Sequence, residues 1–409
     1  MKRDAALSSQ EAAAYLGIKV QTLYAYASRG LIKGLPGPRG GGRRYRREDL
    51  ESLRARRASP AAQALRFGEP VLDTHITRMT AHGPQYRGRL ATELARGDVP
   101  FEAVAELLWS GALPAAGVRW PLAVPALPWR ELARLLPVGS APLGALALVL
   151  PVLAAADPMR YDSEPASVMA RARRLIPQLA ASYALVLDPK RIAAAADTPE
   201  PVRALALALG VPLARRPLAL LRCALILAAD HELNTSTFAA RVAASTGADL
   251  YACLSAAVGA VSGPLHGGAS EQVEWLVREA GSPQGALAAV SERMRRGEKL
   301  PGFGHPLYPA GDPRVAPLLE LALAHAPRAL RVRTVVALIG AMAQAHRPKP
   351  NVDVALAALC GALGLPIGMG PAIFAIGRSA GWVAHVIEQQ RTGMLLRPRA
   401  RFVGDAAGA

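Results

Sequence analysis

Three histidines, one aspartate and three arginines in the second half of the chain have the types and spacing that could carry chemistry. They are His231, His266, His305, Asp353, Arg314, Arg378 and Arg397. Most lie in patterned segments, such as Gly-Pro-Leu-His-Gly-Gly-Ala around His266 and Pro-Gly-Phe-Gly-His-Pro-Leu-Tyr around His305. Imidazoles donate hydrogen bonds, a carboxylate can act as a base, and guanidinium groups bind carboxylates at two points. The set therefore suits carbon–carbon bond formation on an anionic substrate.

The composition predicts that helices position these residues. The 409-residue chain is 51% hydrophobic but only 5% aromatic, and it is dominated by Ala and Leu, which favour helices. Its 34 prolines predict many short helices instead of a few long ones. The length exceeds what one ordinary core needs, so we expect an all-α protein of two or three domains.

In this order and spacing the segments resemble those of citrate synthases, from about Tyr86 to the C-terminus. The resemblance implies a large helical domain over 61–268 that resumes at 371–409, and a small helical domain over 269–370. A cleft between the two would close over the substrates and exclude water.

The resemblance also implies a role for each residue. Asp353 would remove a proton from the methyl group of acetyl-CoA, and His266 would stabilise the enolate. His305 and His231 would donate hydrogen bonds to oxaloacetate, and the three arginines would bind its carboxylates. In the family the last arginine, matched by Arg397, reaches the partner subunit's site, which implies a homodimer.

The implied activity is that of an acyltransferase, citrate synthase of the tricarboxylic acid cycle. The CoA thioester is a substrate, so no cofactor is expected. An alternative is 2-methylcitrate synthase, which uses propionyl-CoA, because one methylene changes selectivity by only about 1–3 kcal/mol. The chain also departs from the family, since Pro309 and Ala310 stand where a basic residue commonly meets the CoA phosphates. Other cations must then serve, with Arg293, Arg295, Arg296 and Lys299 as candidates.

Several other residues have a plainer interpretation. A metal site is disfavoured because the histidines and the aspartate lack short ligand spacing. Structural roles are expected for His325, His346 and His385, and buried reduced thiols for Cys223, Cys253 and Cys360. Glu102 and Glu106 are expected on the solvated face of a helix.

Residues 1–60 predict a separate DNA-binding module. Ser8 and Glu11 have the spacing of a capping box, and Gly17 permits a turn between two short helices. With the arginine-rich segment that follows, this resembles the winged helix-turn-helix of MerR-like and excisionase-like domains. The resemblance implies base contacts in the major groove and phosphate contacts from the wing. The residues concerned are Gln21, Thr22, Arg43, Arg44, Arg46 and Arg47. The alternative is a packing module with solvated arginines.

The charge distribution supports an anionic partner for this end of the chain. The net charge is +17, and residues 1–66 hold 14 Lys and Arg against five Asp and Glu, which gives +9. No signal-peptide pattern is present, and the uncharged stretch 354–377 is broken by Pro366 and Pro371, so we expect a cytoplasmic protein without a membrane anchor. A regulator whose synthase-like body senses a CoA ester or a dicarboxylate remains a competing interpretation.

Overall fold

The computed structural model describes residues 7–28, 32, 34–35, 42–47, 49–50, 72–115, 117–122, 127–137, 139–346 and 348–400. The chain forms two compact units, one of Met1–Asp73 with Pro398–Ala409 and one of Thr74–Arg397. Residues 51–60 of the predicted DNA-binding module lie outside the described residues.

The N-terminal unit contains the two predicted helices, α1 (Ser9–Leu16) and α2 (Val20–Ser28). Ser8 and Glu11 form the predicted capping box, and Gly17 ends α1 with φ 63°, a left-handed conformation that favours glycine. Strands β1 (Leu7–Ser8), β2 (Gly34–Leu35) and β3 (Arg44–Tyr45) form an antiparallel sheet with β3 in the middle. Its core is separate from that of the rest of the chain and includes Leu23, Tyr45 and Leu50.

The second unit is helical apart from one small antiparallel sheet, as the composition predicts. The sheet consists of β4 (Thr77–Thr80), β5 (Gly83–Tyr86) and β6 (Arg89–Leu90). The helices are α3 (Ala91–Arg96), α4 (Phe101–Ser110), α5 (Trp129–Leu135), α6 (Pro142–Ala156), α7 (Pro165–Ala181), α8 (Ala184–Leu187), α9 (Ile192–Ala196), α10 (Pro201–Leu209), α11 (Arg215–Ala228), α12 (Thr235–Ser245), α13 (Leu250–Val261), α14 (Gly268–Ala280), α15 (Ala286–Arg295), α16 (Val315–His325), α17 (Leu330–Gln344), α18 (Val352–Ala362) and α19 (Met369–Thr392).

Helix α19 is the axis of this unit, and nearly all of its side chains are buried. It packs against α7, α11, α12 and α13. The approach to α11 is close because Gly377 and Gly381 have no Cβ atoms, which would overlap with Leu225 and with Ala229 and Asp230 respectively. The two glycines thus bring the C-terminal end of α11 next to α19, where the candidate site forms.

The structure corrects one expectation about α4. Glu102 and Glu106 are buried, 6% and 8% exposed, and do not form a solvated face. Glu106 accepts hydrogen bonds from Arg173 and from the indole of Trp120, which compensates for its burial. Glu102 has a pKa raised by burial to about 7.

The three cysteines are buried free thiols, as expected. No helix among the described residues combines the length and apolar character needed to cross a membrane.

Candidate active site

His231 lies just beyond the C-terminal end of α11, in a backbone bend that is held by Tyr86. The Tyr86 hydroxyl donates to the carbonyl oxygen of Ile226 at 2.9 Å and accepts the backbone N–H of Asp230 at 3.3 Å. Glu232, the next residue, has φ 56°, which is uncommon for a residue with a side chain. The bend leaves the imidazole of His231 buried.

The loop 301–314 places His305 next to His231. Gly302 adopts φ 80° and packs against Val273 and Val354, where a Cβ atom would overlap with both side chains. The ring centroids of His231 and His305 are 5.3 Å apart, in an edge-on arrangement. Two of the three predicted histidines therefore face a common space.

Hydrogen bonding fixes the protonation of His305. Its Nδ1 accepts the backbone N–H of Leu307 at 3.1 Å, so the proton of the neutral ring lies on Nε2. Burial and the nearby guanidinium of Arg314 lower the pKa of His305. At neutral pH the side chain is therefore a neutral hydrogen-bond donor through Nε2.

Arg314 and Asp312 form a buried two-point ion pair that ties the loop to α18. The Nε–Oδ1 and Nη2–Oδ2 distances are 3.0 and 2.8 Å. Asp312 Oδ2 also accepts the backbone N–H of Val352 at 3.0 Å. Burial raises the pKa of Asp312, but Arg314 outweighs it and the net pKa is lowered, so the pair remains ionised. The start of α18 is thereby fixed beside Arg314.

Asp353 is the second residue of helix α18. Asn351 caps the helix, and its Oδ1 accepts the backbone N–H of Asp353 at 3.0 Å. Burial raises the pKa of Asp353 to about 7, against the opposing effect of Arg314 and with a further contribution from Asp312. A carboxyl group with this pKa can accept a proton at neutral pH and is therefore suited to general-base chemistry.

His266 lies in the turn before α14, and Ser236 of α12 holds its ring. The His266 Nε2 and Ser236 Oγ atoms are 2.8 Å apart, and the Ser236 oxygen also accepts the indole N–H of Trp382 at 3.1 Å. Burial, with the charge of Arg378, lowers the pKa of His266 to about 4. The imidazole is therefore neutral at physiological pH. The Ser236 hydroxyl donates its proton to Asn234 Oδ1 at 2.8 Å, which fixes the orientation of this serine beside His266.

Arg378 of α19 is 1% exposed and contacts both the C-terminal end of α11, which precedes His231, and the Phe374 ring, which meets His266. Its Nε donates to the carbonyl oxygen of Ala228 at 2.7 Å, and its guanidinium carbon lies 4.5 Å from the ring centroid of Phe374. The Phe374 ring also meets His266, with centroids 5.9 Å apart. Burial lowers the pKa of Arg378 to about 10, so it stays cationic and contributes to the low pKa values of His231 and His266.

Six of the seven predicted site residues are thus linked by contacts or by their mutual effects on pKa. Arg397 is the exception. It is exposed in the segment after α19, and the described part of the chain gives it no hydrogen bond or ion pair. Its predicted reach into a partner subunit stays a prediction.

His385 has the structural position that was expected of it. It is fully buried, with Nε2 3.4 Å from Asp230 Oδ2 and Nδ1 3.4 Å from Arg241 Nη1. Arg241 in turn pairs with Glu388 at 2.8 Å. The charged and polar groups of His385, Asp230, Arg241 and Glu388 thus compensate for one another's desolvation, and Asp230 directly precedes His231 in the chain.

Sequence reasoning assigned no role to Ser236, Tyr308 or Asp312, although all three lie in the patterned segments. Tyr308 contacts His231 across 77 positions of the chain, and Ser236 contacts His266 across 30. Their position inside the patterned segments was the available signal. Contacts at such separations cannot be inferred from spacing alone.

The candidate DNA-binding residues lie on the surface of the N-terminal unit. Arg44 points outward from β3 while Tyr45 is buried, and Arg43, Arg46 and Arg47 are also exposed. On α2, Gln21 is exposed and Thr22 is half-buried.

Comparison with known proteins identifies both parts of the chain. Residues 66–399 match the family model described as citrate synthase, C-terminal domain, and residues 6–58 match the model of a helix-turn-helix domain. A putative citrate synthase 2 of Mycobacterium tuberculosis is 45% identical over 184 residues, which are 43% of this chain and 49% of that protein. That match therefore spans about half the length of the relative.

Two further comparisons cover more of the molecule. A 2-methylcitrate synthase of M. tuberculosis is 32% identical over 339 residues, 78% of this chain and 84% of that protein. The citrate synthase of Thermoplasma acidophilum, solved with carboxymethyl coenzyme A and oxaloacetate, has the same fold, with a TM-score of 0.74 and 24% identity over 85% of this chain and 97% of that one. This chain belongs to the citrate synthase family and carries a helix-turn-helix domain in its N-terminal unit.

Proposed function

We propose that the chain condenses an acyl-CoA with oxaloacetate, with acetyl-CoA as the first candidate and propionyl-CoA as the alternative. The observation that carries this proposal is the position of Asp353, whose pKa is about 7, beside the ion pair of Arg314 and Asp312. A base that is partly ionised at neutral pH, next to a fixed cation and neutral histidines, is what removal of a weakly acidic C–H proton requires.

The residues of the site support a sequence of steps. Asp353 takes a proton from the carbon next to the thioester, and the neutral imidazole of His266 donates a hydrogen bond to the developing enolate oxygen. That carbon then bonds to the ketone carbon of oxaloacetate as the C=O π bond breaks. The ketone oxygen takes the proton from Nε2 of His305 and becomes a hydroxyl group. His305 regains a proton from solvent, to which Asp353 returns the one it removed. Water cleaves the thioester, which releases CoA as a thiol. Arg314 and Arg378 are buried cations suited to the carboxylates of the substrate.

The phosphates of CoA require cations outside this cluster. Arg293, Arg295 and Arg296 are engaged with Glu279, Glu292 or Glu298, which makes them poorer candidates. Lys299 is exposed. Lys349 is exposed too, its aliphatic chain packs against Gly311, and its carbonyl oxygen accepts the N–H of Gly304 at 2.8 Å. We propose that Lys349 supplies charge where Pro309 and Ala310 supply none.

Thiol release tests the function directly. The purified chain should release free CoA from acetyl-CoA or propionyl-CoA only when oxaloacetate is present, and the ratio of kcat/KM for the two thioesters identifies the preferred acyl group. Lys349→Ala should raise KM for the thioester several-fold and leave KM for oxaloacetate unchanged, since a surface charge contact contributes modestly. Absence of thiol release with both thioesters would refute the proposal.

The apolar surface formed by α6 and α13 supports a homodimer. Helix α6 has no charged residue, and Ala147, Pro151 and Ala155 are exposed on it. Helix α13 packs against α6 and exposes Ala252, and the side chain of Leu265 just beyond it is fully exposed. Exposed apolar residues on two packed helices are typical of a subunit interface.

A second proposed function is binding of duplex DNA by the N-terminal unit. It is supported by the helix-turn-helix family match and by the four exposed arginines at 43, 44, 46 and 47. Alanine at these four positions in the full chain should weaken binding to all duplexes alike, and Gln21→Ala should change the sequence preference. Gel-shift titrations at two salt concentrations measure this, because each lost phosphate contact reduces the log–log salt slope by about 0.9.

The control carries Arg130, Arg134, Arg203 and Arg216 changed to Ala, which removes the same charge from exposed positions of the second unit. This variant should bind DNA as the wild type does. Failure of the wild type to bind any duplex at low salt would leave the N-terminal unit as a packing or partner-binding module.

A further inference from the structure

Tyr308 contacts three of the residues assigned to oxaloacetate, although no role was assigned to it. Its hydroxyl lies 3.3 Å from His231 Nε2, and its ring centroid lies 4.8 Å from that of His305. The guanidinium carbon of Arg314 lies 5.9 Å from the same ring. The side chain is 4% exposed, so it fills the space between these groups and excludes water from it.

The protonation states around Tyr308 make its hydroxyl a neutral partner of a neutral imidazole. Burial raises the pKa of Tyr308 to about 12, so the phenol keeps its proton at physiological pH. Burial, together with Arg314, Arg378 and His305, lowers the pKa of His231 well below its usual range. A hydrogen bond between the two therefore selects one tautomer of His231 and holds the plane of its ring.

The backbone of the loop does not depend on this hydroxyl. The N–H of Tyr308 donates to the carbonyl oxygen of His305 at 3.0 Å, and the N–H of Gly311 donates to the carbonyl oxygen of Tyr308 at 3.0 Å. Asp312 and Arg314 fix the end of the loop through their ion pair. Removal of the hydroxyl alone should therefore leave the loop in place and affect only the histidine side chains.

We propose that Tyr308 is a positioning residue, whose hydroxyl orients His231 and whose ring orients His305 for binding of a 2-oxo dicarboxylate. The inference rests on the proposed condensation with oxaloacetate, and it assigns part of the affinity for that substrate to a residue that need not touch it. Preorganised donors bind a substrate more tightly because their side chains lose less conformational entropy on binding.

Tyr308→Phe in the full chain tests the inference, because phenylalanine keeps the ring and removes only the hydroxyl. KM for oxaloacetate should rise on the order of tenfold, the loss expected for one hydrogen bond, while KM for the thioester stays the same. The low-pH limb of kcat/KM for oxaloacetate should move to higher pH, because His231 loses a partner that favours its neutral form. The melting temperature should change little.

Tyr183→Phe is the matched control. The Tyr183 hydroxyl is also buried and donates to the carbonyl oxygen of Ala372 at 2.9 Å, but it contacts none of the site residues. Its loss should leave both KM values and the pH profile unchanged.

Two outcomes would overturn the inference. If the wild type turns over and Tyr308→Phe leaves KM for oxaloacetate unchanged, or raises both KM values equally, Tyr308 is not a positioning residue for this substrate. If the wild type releases no thiol at all, the proposed condensation fails, and the inference that rests on it fails as well.

Discussion

Asp353→Ala is expected to lower kcat for condensation about 10³-fold, while oxaloacetate still binds. Removal of a general base costs typically 10²–10⁴ in rate, because no other group at that position can accept the proton. Arg314, Arg378 and the two histidines proposed to bind oxaloacetate, His231 and His305, remain in place. Thiol release measures the rate, and calorimetric titration with oxaloacetate measures the binding.

Glu102→Gln is the matched control for this loss. Glu102 is likewise buried with a pKa raised to about 7, but it lies on α4 and contacts none of the site residues. Its replacement should leave turnover near the wild-type rate. Near wild-type turnover by Asp353→Ala would refute the assignment of the base.

The pKa of Asp353 also fixes the pH dependence of turnover and stability. Turnover should rise with pH through about 7, as the carboxyl group becomes the carboxylate that accepts the proton. Folding raises this pKa from 3.8, so its contribution to stability is present below about pH 4 and is lost as the pH rises through about 7. Asp353→Asn cannot ionise, so it should melt above the wild type at pH 8, by a margin that shrinks at pH 5.

Activity should return when two inactive variants, His266→Ala and Arg397→Ala, are mixed. Arg397 is exposed and makes no hydrogen bond or ion pair with the other candidate site residues, all of which the structure describes, and this fits the predicted contribution to a partner's site. In a mixed dimer one site carries both changes and the other carries neither. With free exchange, about a quarter of all sites are intact, so about a quarter of wild-type activity is expected.

The mixing experiment requires proof that subunits exchange, which two different affinity tags on the variants provide. A mixture of His266→Ala with Asp353→Ala is the control. Both residues act within one subunit, since their segments meet in the same chain, and every site in the mixed dimer then carries a change. No recovery in the first mixture despite proven exchange would mean that Arg397 acts within its own chain or not at all.

The sequence predicts the helical fold well, because helix formation depends on local composition. The candidate site residues were chosen from patterned segments, and their roles stay a prediction. Asp353 follows the helix-capping Asn351, and His266 lies among glycines, so each signal is contained within a few residues. The burial of Glu102 and Glu106 was not predictable in this way. For Glu106 it depends on Arg173 and Trp120, which approach α4 from other parts of the chain.

The same limit explains why Tyr308 and the ion pairs of α15 were missed. A tyrosine after a patterned histidine has no local feature that points to His231. The arginines at 293 and 296 look free until Glu279 is brought to them. Sequence patterns identify the groups that do chemistry more readily than the groups that hold them in place.

The separate core of the N-terminal unit has a consequence for synthesis of the chain on the ribosome. Leu23, Tyr45 and Leu50 are translated early, whereas Arg378 of the candidate site comes near the C-terminal end. Domains generally fold as they emerge, the first one first. We therefore expect any chain released before Arg378 is made to contain the helix-turn-helix unit without a complete catalytic site. Under the two functions proposed above, such fragments would compete with the full protein for DNA without adding turnover. Incomplete translation would then shift the protein from catalysis toward DNA binding.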